Sequence, residues 1–515
     1  MPNKFYLTTP LYYVNAKPHI GHSYTEIAAD VLARHHRRRL GDESVLFVTG
    51  TDEHGQKIVR AAEAAGMDPA AFTDRMSLTF KDLWARLDIS GHDFIRTTED
   101  RHRKAVRQVW RDLEKKGDIR IAAYKGYYCT PCETFLTEES VRQQQEAGQA
   151  IACPSCRRAV ERLEETNYFF QTSKYQDWLI GELERGGEMR VLPESRRNEV
   201  LGFLKNEKLE DLCISRPKSR LAWGIESPLS PDHVTYVWFD ALINYITAAG
   251  YPDREKMRKW WPADVHLIGK DILRHHAVYW PILLHALGLD LPRMIFAHGW
   301  WVQGGQKMSK SLGNAVDPLE IVSRYGVDAY RYFLLRETPF GQDGTFSEEA
   351  FITRYNTDLA NDLGNLLSRA VAMCEKYFGG DVPPPKLGAS RNGEDVSDLQ
   401  GSAGLLLKGA GGLSDSLETH LADLRYDEAL RAVWAVVNEA NTFIETAAPW
   451  KLARQGSQED LGLVMRTLVD TLEAVSESLR PFMPRTAEAI AKQLDTDGRV
   501  QKGAALFPRI ETDKK

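Results

Sequence analysis

The sequence predicts an α/β chain: a doubly wound parallel sheet, interrupted by a small inserted module and followed by an α-helical bundle. Three observations predict it. Apolar runs with little alternation, such as Ser44–Val48 and Val265–Gly269, are interleaved with helix-length amphipathic stretches, the pattern of buried parallel strands joined by crossover helices. Between the two halves of that pattern the rhythm breaks, and two Cys-x-x-Cys pairs appear. From about Phe346 the chain turns to long amphipathic helical segments. The division expected is 1–117, 118–219, 220–299, a linking segment 300–345, and 346–515.

The elements follow in order. Phe5–His22 reads as a short strand, a loop of small and rigid residues, and a helix start at His19–His22. Unpaired N–H groups and the positive dipole end at such a start suit phosphate. Thr25–Leu40, with Ile27, Val31 and Leu32 at helical spacing, ends at Gly41. Ser44–Val48 is then a buried strand, Thr49–Gly55 a loop, and a further helix runs to about Ala65. Ligands on a parallel sheet bind beyond the carboxyl ends of its strands, which puts Asp52 and the two histidines on one rim.

Inside the insertion, Cys129 and Cys132 are followed after twenty residues by Cys153 and Cys156. That spacing predicts one zinc ion held by four thiolates, and four thiolates leave no open coordination position, so the metal is expected to be structural. Cys213 and Cys374 read as ordinary buried thiols. The sheet is expected to resume at His233–Asp240, with a strand at Val265–Gly269, a helix at Ile272–Leu287 and a strand at Arg293–Ala297. Ile272, His276 and Trp280 recur every four residues and are expected on one helix face. Gly304 and Gly305 open a loop presenting Lys307–Ser311. Bundle helices are expected near Glu349–Phe378, Leu405–Leu424, Tyr426–Ala447, Leu461–Leu479 and Pro484–Leu494, with a Gly/Pro/Ser-rich connector from Gly379 to about Gly401.

Composition narrows the function classes. A chain of 515 residues is too long for one core, and 43% hydrophobic with 27% charged residues is the balance of a soluble globular protein. No run of about 18 apolar residues occurs, and no charged segment followed by an apolar one opens the chain, so a cytoplasmic protein without a membrane partner is expected. A net charge of −6 argues against a generic nucleic-acid coat. Local basic runs, Arg34–Arg39 and Arg101–Lys104, are read first as solvated helix ends favoured by the C-terminal dipole, with RNA contacts as the second reading.

With Thr8–Asn15, His19–His22, Thr49–Gly55, the cysteine pairs, Tyr236–Asp240, Gly269–Ile272 and Lys307–Ser311 together, the chain resembles the bacterial methionyl-tRNA synthetases, members of the class I aminoacyl-tRNA synthetases, over nearly its whole length. The resemblance implies a Rossmann-like catalytic domain with an inserted zinc-knuckle connective domain and an anticodon-binding bundle. It implies a two-step reaction without a protein nucleophile, resting on alignment and electrostatic stabilisation: methionine and ATP, with Mg2+, give methionyl-adenylate and pyrophosphate, and the 3′-terminal adenosine of tRNA(Met), the initiator included, takes the acyl group. By the same resemblance His19, His22, Lys307 and Lys310 are catalytic, and Asn15, Gly21 and Ser309 join them around ATP. Asp52 holds the ammonium of methionine. Leu11, Tyr13, Trp238, Tyr245, Ile272, His276 and Trp280 line its side-chain pocket. Asn365, Arg369 and Trp450 read the anticodon. DNA is not an expected partner, and no further module after the bundle implies a monomer. The insertion is too short for the editing domain of a leucine, isoleucine or valine enzyme. An apolar pocket separates near-isosteres by only about 1–3 kcal/mol per methylene, so homocysteine is expected to leak through in part.

Overall fold

Six parallel strands organise the first of two units in the computed structural model of the chain, which describes residues 4–130, 133–136, 138–154, 156–303, 306–307, 316–384, 398–494 and 498–511. This unit comprises Met1–Ala29 and His36–Gly299; the second comprises Asp30–His35 and Trp300–Lys515. Strands of the first unit are β1 (Phe5–Tyr13), β2 (Val45–Asp52), β3 (Asp93–Arg96), β4 (Ile119–Cys129), β5 (Thr134–Phe135), β6 (Glu161–Phe170), β7 (Arg190–Leu192), β8 (Leu212–Cys213), β9 (Ser215–Pro217), β10 (His233–Thr235), β11 (Val265–Gly269) and β12 (Met294–His298). The main sheet has the order β3-β2-β1-β11-β12-β7. Strand order reverses between β1 and β11, and the carboxyl ends of those two strands flank the crevice where such sheets bind ligands.

Pro10 sits in the centre of that sheet, where a residue without an N–H breaks the ladder. The register accommodates it. Thr8 pairs with Val48 and Leu11 with Gly50, so β1 carries one extra residue at Thr9–Pro10. Beyond this bulge Tyr12 lies opposite Thr51 and Tyr13 opposite Asp52, at the rim. After β1 the chain turns into helix α1 (Ile20–Leu40), and after β2 into helix α2 (Gln56–Ala64).

The inserted module is an antiparallel sheet of order β5-β4-β6-β8. Arg190–Leu192, within the span expected for the insertion, instead forms the edge of the main sheet beside β12. A second correction concerns His233–Asp240, expected as a main-sheet strand. Only His233–Thr235 is extended, it pairs antiparallel with β9, and Val237–Leu242 is helical. A short apolar run carries no period that separates strand from helix, and here the burial of Val237, Phe239, Asp240 and Leu242 selects the helix. The expected helix Ile272–Leu287 is a 3-10 turn at Lys270–Ile272, a π segment at His275–Tyr279 and an α-helix at Trp280–Ala286. The widened π turn removes the simple four-residue stripe.

In the second unit, Trp301–Gln303 pairs with Gln306–Lys307 and with Gly344–Thr345. The bundle follows: Glu348–Arg354 continues through a π segment, Tyr355–Gly364, into Asn365–Phe378, and then come Asp398–Gly411, Leu413–Leu421, Tyr426–Ala447, Pro449–Gln455, Gln458–Leu479 and Pro484–Leu494. The middle of the expected connector, 385–397, lies outside the described residues. Among the described residues no helix is long and apolar enough to cross a membrane.

One buried ion pair ties distant pieces of this unit together. Arg331, fully buried, donates from Nη2 to Asp30 Oδ2 at 2.6 Å and to Pro481 O at 3.0 Å, and from Nε to Phe482 O at 2.7 Å. Arg34 Nε also reaches Asp30 Oδ2 at 2.8 Å, so removing Arg331 strips buried Asp30 of one of two cations and takes the donor from the Pro481 and Phe482 carbonyls. Arg331→Ala is expected to lower stability by about 3–5 kcal/mol, read as a lower denaturant midpoint at unchanged slope.

Candidate functional site

The start of α1 is built from its own histidines. His19 is the N-cap, with extended backbone at φ −142°, and its Nδ1 accepts from the Gly21 N–H at 3.1 Å. His22 Nδ1 in turn accepts from the His19 N–H at 3.1 Å. The pair reproduces a capping box with imidazoles in place of hydroxyl and carboxylate. The rings stack 3.9 Å apart, and His22 also meets Tyr12 and Phe80 edge-on. A neutral imidazole that accepts at Nδ1 carries its proton on Nε2, so both rings are set as donors at that atom. A Cβ at position 21 would lie 3.0 Å from His19 Cε1, so glycine there lets the His19 ring fold back over the helix start.

Asp52 ends β2 and is 4% exposed, and its Oδ1 has no hydrogen-bond partner among the described residues. Burial, then the negative charges of Asp240 and Glu133, push its pKa well above the usual carboxylate range against one backbone N–H from His54. Asp240 is treated differently. Burial opposes its ionisation, but His54 Nδ1 at 2.7 Å and His102 Nε2 at 2.6 Å hold its pKa below the usual range. His102 Nδ1 reaches Thr247 Oγ1 at 3.2 Å, and Trp223 lies against His54 and donates to Glu53 O at 2.6 Å.

The aromatic wall is a second hydrogen-bonded chain. His276 Nδ1 lies 3.0 Å from Ile272 O and so donates, which leaves Nε2 to accept from the Tyr245 hydroxyl at 2.7 Å. Trp280 Nε1 donates to His266 Nε2 at 3.2 Å, so His266 Nδ1 donates to Thr8 Oγ1 at 2.7 Å. Burial pushes His276 down to about 4 and His275 to about 3 and holds His266 well below its usual range, so these imidazoles are neutral at pH 7. Tyr245 stands between His266, at 4.4 Å, and Trp280, at 5.6 Å. Trp238 stacks on His275 at 4.1 Å. Tyr13 hydroxyl lies 2.8 Å from both His54 O and Glu133 Oε2, and Leu11 packs against the core.

Of the predicted site residues, the first unit therefore joins Tyr13, Tyr245, His276 and Trp280 to one polar and aromatic lining beside Asp52, with Ile272 entering through its carbonyl. His54, His102, Asp240, Glu133, His266 and His275 were missed, and the signal for two of them was on hand: His54 belongs to Thr49–Gly55 and Asp240 to Tyr236–Asp240, both stretches that carried the resemblance. Lys307 lies on a two-residue strand of the second unit, while Ser309 and Lys310 fall outside the described residues. Asn15 is exposed at the turn after β1.

Cys129, Cys153 and Cys156 bring their sulfurs within 4.8 Å of one another, with Cys129 and Cys156 at 3.5 Å; Cys132 lies outside the described residues. Zn–S bonds of about 2.3 Å in a tetrahedron put sulfurs about 3.8 Å apart, so the donor set fits zinc. The residue after each Cys-x-x-Cys pair, Glu133 at φ 50° and Arg157 at φ 58°, adopts the left-handed conformation, closing two like turns.

In the bundle, Asn365 is exposed at the start of its helix segment, and Arg369 one turn on pairs with Glu445 at 2.7 Å. Trp450, partly exposed, sits just after the left-handed Ala448 that ends Tyr426–Ala447.

Comparison with known proteins bears on this geometry. The family model for class I tRNA synthetases (M) matches residues 5–371. A methionine–tRNA ligase of Caldanaerobacter subterraneus subsp. tengcongensis is 47% identical over 534 residues, covering 100% of this chain and 80% of that protein. The methionine–tRNA ligase of Bacillus subtilis is 42% identical over 537 residues, covering 99% and 79%. A Mycobacterium tuberculosis methionyl-tRNA synthetase in complex with methionyl-adenylate superposes with a TM-score of 0.89 at 41% identity, covering 98% of this chain and 100% of that one.

Asp52 carries a stability cost with a defined pH window. Its folded-state pKa lies above the unfolded one, so the folded chain binds the extra proton and loses stability as pH rises from the unfolded value of 3.8 through the folded one. Asp52→Asn is therefore expected to raise the melting temperature at pH 7, with the gain shrinking to nothing as pH falls below 3.8. Melting curves of the two proteins across that range check it.

Proposed function

Because the chain belongs to the methionine-specific class I tRNA synthetases, we propose that it is a methionine–tRNA ligase whose amino-acid site is the rim around Asp52. It activates L-methionine with ATP to methionyl-adenylate and pyrophosphate, then transfers the methionyl group to the 3′-terminal adenosine of tRNA(Met), including the initiator. One observation carries the site assignment: a buried carboxylate, one of whose oxygens has no hydrogen-bond partner among the described residues, stands near Tyr245, whose ring meets His266, His276 and Trp280. An ammonium ion on an apolar side chain satisfies both halves, since burying it without an anion would be expensive.

The roles follow from the chemistry of each group. Asp52 orients the substrate through its ammonium. Leu11, Tyr13, Trp238, Tyr245, Ile272, His276 and Trp280 receive the thioether, which is polarizable and favours aromatic contact. The methionine carboxylate attacks the α-phosphorus of ATP, the bond to the β-phosphate oxygen breaks, and no residue becomes covalently attached. His19 and His22 donate from Nε2 to phosphate oxygens as charge develops on them, and Lys307, Ser309 and Lys310 meet the departing pyrophosphate, with Asn15 and Gly21 on the nucleotide. Such a donor or cation is worth about 10²–10³ in rate. Mg2+ bound with ATP would supply the neutralisation of phosphate charge that these side chains leave incomplete. The four cysteines Cys129, Cys132, Cys153 and Cys156 would hold a zinc ion, which would serve as a structural crosslink.

Residues 1–117 and 220–299 form the catalytic domain, with Arg190–Leu192 contributing its edge strand; 118–219 is otherwise the connective domain. The segment 300–345 bears Lys307–Lys310, and 346–515 is the anticodon-binding bundle, where Asn365, Arg369 and Trp450 read unpaired bases by hydrogen bonding and stacking. The compartment is the cytoplasm, and DNA is not a partner.

Exchange of pyrophosphate into ATP, tested across the amino acids, is expected with methionine; exchange with leucine or cysteine and none with methionine would defeat the assignment. Trp450→Ala is expected to leave that exchange intact while lowering tRNA charging by about 5–150-fold, the value of one stacked base. Equal loss of both activities removes Trp450 from anticodon reading. Metal analysis of reduced protein is expected to find zinc, and its loss on replacing Cys153 by Ser.

A further inference from the structure

Glu133 directly follows the first cysteine pair yet turns its carboxylate to Tyr13 and the start of α2. It is 3% exposed and follows Cys132 directly, in the left-handed conformation at φ 50° that a β-carbon makes unfavourable. The turn is closed by the Glu133 N–H on Thr130 O at 3.3 Å. From there Oε2 lies 2.8 Å from the Tyr13 hydroxyl, and Oε1 accepts from the Lys57 N–H at 2.9 Å, an unpaired donor of the first turn of α2. The Glu133 carbonyl accepts from the Tyr236 hydroxyl, and Tyr236 is the N-cap of the helix carrying Trp238 and Asp240. Gly55, at φ +103°, makes the approach possible: a Cβ there would meet Tyr13 Oη at 2.4 Å and Glu133 Oε1 at 2.9 Å.

We propose that Glu133 is a positioning residue that couples the thiolate knuckle to the methionine subsite, holding the Tyr13 side chain and the start of α2 in register around Asp52. The inference rests on the assignment of Asp52 and Tyr13 to methionine binding. Tyr13 has one hydroxyl proton for two oxygens at 2.8 Å, His54 O and Glu133 Oε2. A glutamine at 133 keeps an oxygen for the Lys57 N–H and supplies an N–H to the phenol oxygen, so it preserves the geometry without the charge. Alanine preserves neither.

The test measures methionine binding by equilibrium dialysis on full-length, zinc-loaded protein, with zinc content determined in parallel. Glu133→Ala is expected to raise the methionine Kd about tenfold, the value of one to two net hydrogen bonds, with zinc retained and the KM for ATP within about twofold. Glu133→Gln is expected within about twofold of wild type. Tyr13→Phe, remote from the thiolates, is expected to weaken methionine by about fivefold and guards against a knuckle that fails to form in the alanine variant. Chelation of the metal from wild type is expected to shift the Kd in the same direction. A wild-type Kd in Glu133→Ala or Tyr13→Phe, a Glu133→Gln as weak as Glu133→Ala, or a Kd indifferent to metal removal overturns the coupling. A wild-type chain that binds no methionine overturns the underlying assignment and this inference with it, whereas normal wild-type binding confines any failure to Glu133.

Discussion

Two buried carboxylates, Asp240 and Glu133, lie close enough to a third, Asp52, to raise the cost of its charge, and the surrounding structure of the first unit is arranged around that constraint. Two of the three are compensated from within. Asp240 has two imidazoles, and Glu133 has the Lys57 N–H at a helix start beside the Tyr13 hydroxyl. Of the three, Asp52 alone keeps an oxygen without a donor among the described residues. A dry carboxylate next to two others is a poor contribution to folding, and stability of that kind is given up where a ligand supplies the missing charge. The compensation is therefore selective: the fold neutralises the neighbours and leaves one position for a cation.

The pocket beside it excludes cations by the opposite means. His266 and His276 are buried and His275 is partly buried, and the Trp280 and Tyr245 donors with the accepting Ile272 carbonyl fix which nitrogen of His266 and His276 bears the proton. Their lowered pKa values keep positive charge away from the aromatic wall. A cation that binds at Asp52 supplies the charge its carboxylate lacks, while the neutral rings suit an uncharged side chain. The bulge at Thr9–Pro10 gives both ends a common frame, because it sets Tyr13 opposite Asp52 at the rim.

Much of this was legible where the determining interactions are local. The Cys-x-x-Cys pairs, the parallel strands at Val45–Val48 and Val265–Gly269, and the helix beginning at His19–His22 follow from spacing and periodicity within a few residues. What escaped was long-range. Asp240 meets His54 and His102 across 186 and 138 residues, and Tyr13 meets Glu133 across 120, distances over which no periodic signal survives. His233–Asp240 was misread for a related reason: its burial is imposed by tertiary contacts, and its apolar composition suits strand and helix alike. The π turn at His275–Tyr279 adds a residue to the helix that a regular four-residue stripe cannot anticipate.

The reciprocal cap at the start of α1 places two duties on each histidine at two different atoms. Nδ1 ends the helix cleanly and Nε2 carries the outward proton. An asparagine at either position sets its amide oxygen near where Nδ1 stands, and a glutamine sets its nitrogen near where Nε2 stands. Single steps of drift therefore separate the helix from the donor: one replacement keeps the fold without the chemistry, and the other keeps the chemistry on a frayed support. Only the imidazole ring spans both, which makes these two positions far less interchangeable than their short side chains and simple motif suggest.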